Sequence, residues 1–163
     1  KELYQSIKDN AELSMIVDME RNDLVRVCKY GSVKVTQHKV LETYPTLHHL
    51  VATIKGELDS RYDLVDVIKA TFPGGSITGA PKIRAMEIID ELEPTRRNVY
   101  TGAIGYIGFD GTMDLSIAIR IIMLNGNKAY YQVGGGIVAD SDPESEYEET
   151  LTKGKALMQA CLI

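Results

Sequence analysis

Basic charge is what this chain most lacks. Lys and Arg number 18 against 23 Asp and Glu, for a formal net charge of -5 and a pI near 5.2. A general nucleic-acid binder neutralises phosphates with clustered cations, and this balance argues against that class, although an acidic chain can still bind an anion locally. Cysteine is scarce too: Cys28 and Cys161 lie far apart, without the spacing of a zinc site or a disulfide framework, which fits a reducing cytoplasm. No apolar run approaches the roughly 18 to 20 residues of a membrane helix, and no charged-then-apolar leader opens the chain. The expectation is a cytoplasmic protein with neither a membrane nor a nucleic-acid partner. Repeats, low-complexity tracts and linkers are also missing, while 44% hydrophobic and 25% charged residues make a globular composition.

The chain opens on Lys1 rather than Met, and residues 1–13 already carry helical spacing, so a fragment of a longer protein is expected. SMIVDM, residues 14–19, reads as a short buried strand. VRVCKY and SVKVTQHKV flank Gly31, where positive φ permits a tight turn, and predict a hairpin; TLHHLVATI is another strand candidate. Residues 62–71 predict a helix that stops at Pro73, and PGGSITGAPK, residues 73–82, a loop. A helix from about Pro81 to Glu93 follows from Ile83, Met86, Ile89 and Leu92 falling three apart. VYTGAIGYIGF and MDLSIAIRIIML then predict an antiparallel pair turning at Asp110 and Gly111, and NKAYYQV adds a strand. A last helix starts at about Pro143, capped by Ser141 or Asp142. Hairpins outnumber βαβ units, so the class is α+β with a mainly antiparallel sheet and packed helices.

Few residues carry a chemical signal of their own. Glu146, Glu149 and Lys153 fall at i, i+3 and i+7 on one face of the last helix, which alone would read as a solvated charged face. They follow three consecutive glycines, Gly134, Gly135 and Gly136, which favour close approach of a backbone or ligand. Gly74, Gly75 and Gly79 precede a helix N-terminus that attracts anions, but Ala80 and Pro81 stand where a nucleotide P-loop has Lys and Ser or Thr. Read as a strand residue, Arg120 points off the apolar face across Ser116 and Ala118, in room for a bidentate carboxylate or a surface ion pair. Tyr100 and Gly102 make a similar large and small face, open equally to sheet packing. His49 shares a face with Leu47 and Val51, where a histidine is more often a satisfied core residue. No pattern singles out Glu12.

In order, MIVDMERNDL, HHLV, PGGSITGAPKIRAMEIIDELEP, GAIGYI, MDLSIAIR and GGGIVADSDPESEYEET resemble the chorismate-binding enzymes over almost the whole chain. That family includes the large subunits of anthranilate synthase and aminodeoxychorismate (para-aminobenzoate) synthase, with isochorismate and salicylate synthases; PGGSITGAPK is closer to the aminodeoxychorismate branch. The resemblance implies that residues 1–163 are the carboxy-terminal part of a single chorismate-binding domain. It implies Mg²⁺ held by Glu12, in AEL where the family has an AEN-like sequence, and by Glu149 with Glu146 beside it. By the same resemblance Tyr100, Arg120, Lys153 and amides near Gly134, Gly135 and Gly136 hold the enolpyruvyl group, Thr78 and Gly79 lie against chorismate, and His49 contacts and polarises the substrate. The resemblance also implies that ammonia comes from a glutamine amidotransferase subunit. The branch's covalent lysine, in a Pro-Ile-Lys-Gly-Thr motif, would precede Lys1, so this chain alone is expected to be incomplete and without turnover. Strands expected before Lys1 leave sheet edges that a homodimer is one way to cover.

Overall fold

The computed structural model describes residues 7–44 and 47–162, which fall into two compact units, Lys1–Leu92 and Glu93–Ile163. The first unit begins with α1 (Ile7–Val25), and the expected strand at residues 14–19 lies wholly inside it. Its buried positions come in pairs one helical turn apart, Leu13 with Val17 and Met19 with Asp23, so a helical period prevails over the short apolar run. The start of the expected first helix, residues 1–6, lies outside the described residues.

The predicted hairpin about Gly31 does not form. VRVCKY is the end of α1 and a turn, in which Gly31 takes φ +74°, Ser32 N donates to Lys29 O at 3.0 Å, and Cys28 bridges antiparallel to Leu58. Lys29 pairs with Glu57, and Ser32 Oγ accepts from Glu57 N, so contacts with residues 56–58 decide this turn rather than local alternation. The partner of β1 (Lys34–Tyr44) is β2 (Leu47–Lys55), antiparallel from Lys34 opposite Lys55 to Tyr44 opposite Leu47. The ladder shifts register near Gln37, where Lys39 has φ 59°.

Asp63 caps α2 (Leu64–Thr71), its side chain accepting from Val65 N and Asp66 N while the Asp66 side chain accepts from Asp63 N, a reciprocal capping box. The expected loop at residues 73–82 contains a single helical turn, α3 (Gly75–Thr78), held where Gly79 N donates to Gly75 O at 3.1 Å. Next comes α4 (Lys82–Leu92), whose apolar stripe is exposed at both ends, Ile83 at 76% and Leu92 at 71%, and half-buried at Ile89. Among the described residues, the buried apolar side chains of this unit are Leu13, Val17, Met19, Val27 and Ala70.

In the second unit β3 (Ala103–Ile107) and β4 (Met113–Ile117) pair antiparallel, turning through Asp110, which accepts from Thr112, and Gly111 at φ +85°. The long strand read through Arg120 breaks instead. It ends at Ile117, Ala118 is buried, Arg120 takes φ 53°, and the chain resumes as β5 (Met123–Asn125), paired with β6 (Lys128–Tyr130) across Gly126. Thr101 N donating to Ala118 O, and Ala118 N to Gly102 O, extend the ladder just past β4. Last comes α5 (Pro143–Ala160), with Asp142 rather than Ser141 at the cap: its carboxylate accepts from Ser145 N at 2.9 Å. The side-chain-free face at Gly154 lets α5 lie against Val133 and Tyr131. Helices with wholly antiparallel ladders bear out the α+β class. Among the described residues no helix is long and apolar enough to cross a membrane, and Cys28 and Cys161 are both free.

Candidate functional site

The second unit gathers most of the predicted site residues about its glycine run. A β-carbon on Gly135 would lie 3.2 Å from Glu146 Oε2, 3.8 Å from Glu149 Oε1 and 4.0 Å from Lys153 Nζ. Two carboxylates and an ammonium thus converge on a point that only glycine leaves open. The helix supplies this by spacing alone, because i, i+3 and i+7 project to one side. Glu146 is buried at 8% exposure and its Oε1 accepts from the Ser141 hydroxyl, whose oxygen also accepts from Val138 N at 3.0 Å. Lys153 Nζ lies 2.6 Å from Glu149 Oε1 and donates to Gly134 O at 3.4 Å.

Tyr100 joins the same cluster: a β-carbon on Gly134 would lie 2.9 Å from its hydroxyl. Burial pushes the Tyr100 phenol above its ordinary pKa, against a smaller opposing pull from Arg97, so the group is a neutral hydroxyl donor at neutral pH. Arg97 is itself occupied, bonded through Nη2 to Glu93 Oε1 at 2.6 Å, which raises its pKa. Gly136 is half-buried and carries the chain on from the cradle. Arg120 departs from its expected setting. It is exposed, in a left-handed backbone conformation between two strands, so the alternation argument for its direction does not hold.

The first unit holds the others. Glu12 lies half-buried on α1, and His49 stands on β2 opposite Glu42, exposed rather than in a core. The side chains of Leu47 and His48 lie outside the described residues. Thr78 closes α3, its hydroxyl donating to Gly74 O at 3.0 Å, and Gly79 follows at φ +135°. Behind this turn is a pair that sequence reasoning missed. Asp23, 1% exposed, accepts from Gly75 N at 3.2 Å through Oδ2 and from Lys82 Nζ at 2.6 Å through Oδ1. A small cavity of about 80 Å³ adjoins them, lined in part by Met19, Asn22 and Gly79. The available signal was an acid one turn after Met19 on an otherwise buried helix line. For Ser141 the sequence carries only a helix-cap signal.

Glu146 and Glu149 offer what a hard divalent cation takes, carboxylate oxygens beside Gly135, the Oε2 of Glu146 being buried, so this donor set fits Mg²⁺. Among the described residues no three His, Cys, Asp or Glu side chains form a metal-binding group within one place, and Glu12 belongs to the first unit.

A family model described as chorismate binding enzyme matches residues 1–159. The chain is 55% identical over 153 residues to aminodeoxychorismate synthase component 1 of Salmonella typhimurium, covering 94% of this chain and 34% of that protein. It is 51% identical over 160 residues to anthranilate synthase component 1 of Acinetobacter calcoaceticus, covering 98% and 32%. The crystal structure of anthranilate synthase component I from Streptococcus pneumoniae superposes with a TM-score of 0.87 at 46% identity, over 96% of this chain and 36% of that one. The chain therefore spans about a third of the length of the relatives it matches.

Proposed function

The chain belongs to the chorismate-binding enzymes, and from that premise we propose that it is part of component 1 of an aminodeoxychorismate synthase. In the full-length protein, chorismate and ammonia would give 4-amino-4-deoxychorismate and water, with ammonia delivered by a glutamine amidotransferase partner. The observation that carries this reading is the convergence of Glu146 Oε2 and Glu149 Oε1 on Gly135, with Lys153 and Tyr100 beside them. A dicarboxylate substrate needs cations and donors at one end and a metal-binding edge at the other, and this cluster supplies both kinds of group.

Glu146 and Glu149, with Glu12, would hold Mg²⁺. The ion, when bound, would neutralise a substrate carboxylate and assist departure of the ring hydroxyl. Lys153, Arg120 and the neutral Tyr100 hydroxyl would fix the enolpyruvyl end together with amides near Gly134, Gly135 and Gly136. Thr78 and Gly79 would border the ring, and His49 would contact and polarise it. The cytoplasm as location and folate biosynthesis as setting belong to the same reading. A homodimer and, for the isolated chain, binding without turnover remain expectations attached to it.

Anthranilate synthase component 1 is the second reading, supported by the 51% identical relative. Product analysis separates the two. Full-length protein fed chorismate, Mg²⁺ and ammonium salt should yield aminodeoxychorismate with its pyruvyl group retained; release of anthranilate and pyruvate would install the second reading. In either case Glu149→Gln should abolish Mg²⁺-dependent turnover in a folded protein, because a neutral amide is a poor ligand for this ion. An unchanged magnesium titration would remove Glu149 from the site.

A further inference from the structure

We infer that Asp23 and Lys82 form a buried clamp that positions the Thr78–Gly79 turn for substrate, an inference that rests on the chorismate reading above. The two carboxylate oxygens of Asp23 reach to opposite ends of one segment. Oδ2 takes the amide of Gly75, at the start of α3, and Oδ1 takes the ammonium of Lys82, at the start of α4. Thr78 and Gly79 lie between those anchors, the Thr78 hydroxyl donating to Gly74 O and Gly79 N to Gly75 O. Asp23 thus ties both ends of the segment to α1.

Close packing adds to the clamp. A β-carbon on Gly75 would lie 2.8 Å from Met19 Cβ and 3.4 Å from Asp23 Oδ2, so the turn sits directly on the helix line that carries Asp23. With Asp23 at 1% and the Lys82 side chain at 20% exposure, solvent does little to screen or replace the pair. A buried carboxylate bonded at both oxygens is directional, and loss of either partner leaves the other charge uncompensated. A surface ion pair such as Arg84–Glu87, with both side chains more than half exposed, has no such hold. Asp23 and Lys82 are therefore positioning residues, acting on substrate only through the turn.

The test uses the full-length protein, first shown to turn over chorismate; failure at that step would overturn the functional reading and not reach the clamp. Asp23→Asn, Lys82→Gln and the double variant are then compared with the parent by steady-state kinetics and thermal melting. Misplacement of a binding turn costs up to about 10²-fold in kcat/KM, and here the loss is expected mainly in KM for chorismate, with the Mg²⁺ titration midpoint unmoved. Because Lys82 acts on the segment through its contact with Asp23, the double variant should be no worse than the more severe single one. Lowered melting temperature with unchanged KM in the folded enzyme would overturn the proposal, as would multiplying effects in the double variant. If Asp23→Asn does not fold, Lys82→Gln decides on the same KM criterion.

Discussion

Lys153 Nζ stands 2.6 Å from Glu149 Oε1, one turn further along α5. The ammonium satisfies a carboxylate that the proposed metal would otherwise share, so cation and lysine compete for one oxygen. Lys153→Met should tighten Mg²⁺ binding in the absence of chorismate by about two- to fivefold, the range of a partly screened pair. The same change should weaken chorismate binding, since it removes a cation from the anion end. Calorimetric titration with each ligand separates the two effects, and a Mg²⁺ affinity that falls would contradict the competition.

The open point at Gly135 is the most demanding steric feature of the cluster. A methyl group there, 3.2 Å from Glu146 Oε2, would press on a carboxylate that Ser141 holds at its other oxygen. Gly135→Ala should therefore lower Mg²⁺ affinity by about tenfold or more, as loss of ligand orientation does, with little change in melting temperature. Ser141→Ala should act in the same direction from the other side. Unaltered metal binding in both variants would show that Glu146 is not oriented by this cradle.

Acid should loosen the start of α5 through its cap. Hydrogen bonds from Ser145 N and Ser145 Oγ hold the Asp142 carboxyl below its ordinary pKa. A depressed folded-state pKa means that the cap's contribution is fully present above the unfolded carboxylate value, about 3.9. It is lost as pH falls through the folded value. Asp142→Asn keeps an acceptor that does not titrate, so its melting temperature should fall less steeply than the parent's below about pH 4. Parallel acid limbs would remove Asp142 from this role.

How much of this was legible in the sequence depended on the range of the forces involved. The cap of α5, the turn at Asp110–Gly111 and the common face of Glu146, Glu149 and Lys153 follow from neighbours a few residues apart; the structure has the turn and the face as read and takes Asp142, one of the two candidate caps. The failures lie where distant segments decide. SMIVDM joined a helix because Met19 and Asp23 pack against the turn at Gly75, more than fifty residues later. Arg120 left its strand as Ala118 became buried and the ladder ended at Gly102.

The sequence by itself determined the family, the α+β class and the last helix with its acidic face, since motif order, strand punctuation and helical spacing are properties of the chain. Tertiary structure alone decided that Tyr100 stands over Gly134 and that Asp23 binds both ends of the Thr78–Gly79 segment. The physical reason is burial. An aspartate in MERNDL looks like any surface acid until a lysine and an amide from far along the chain replace its water.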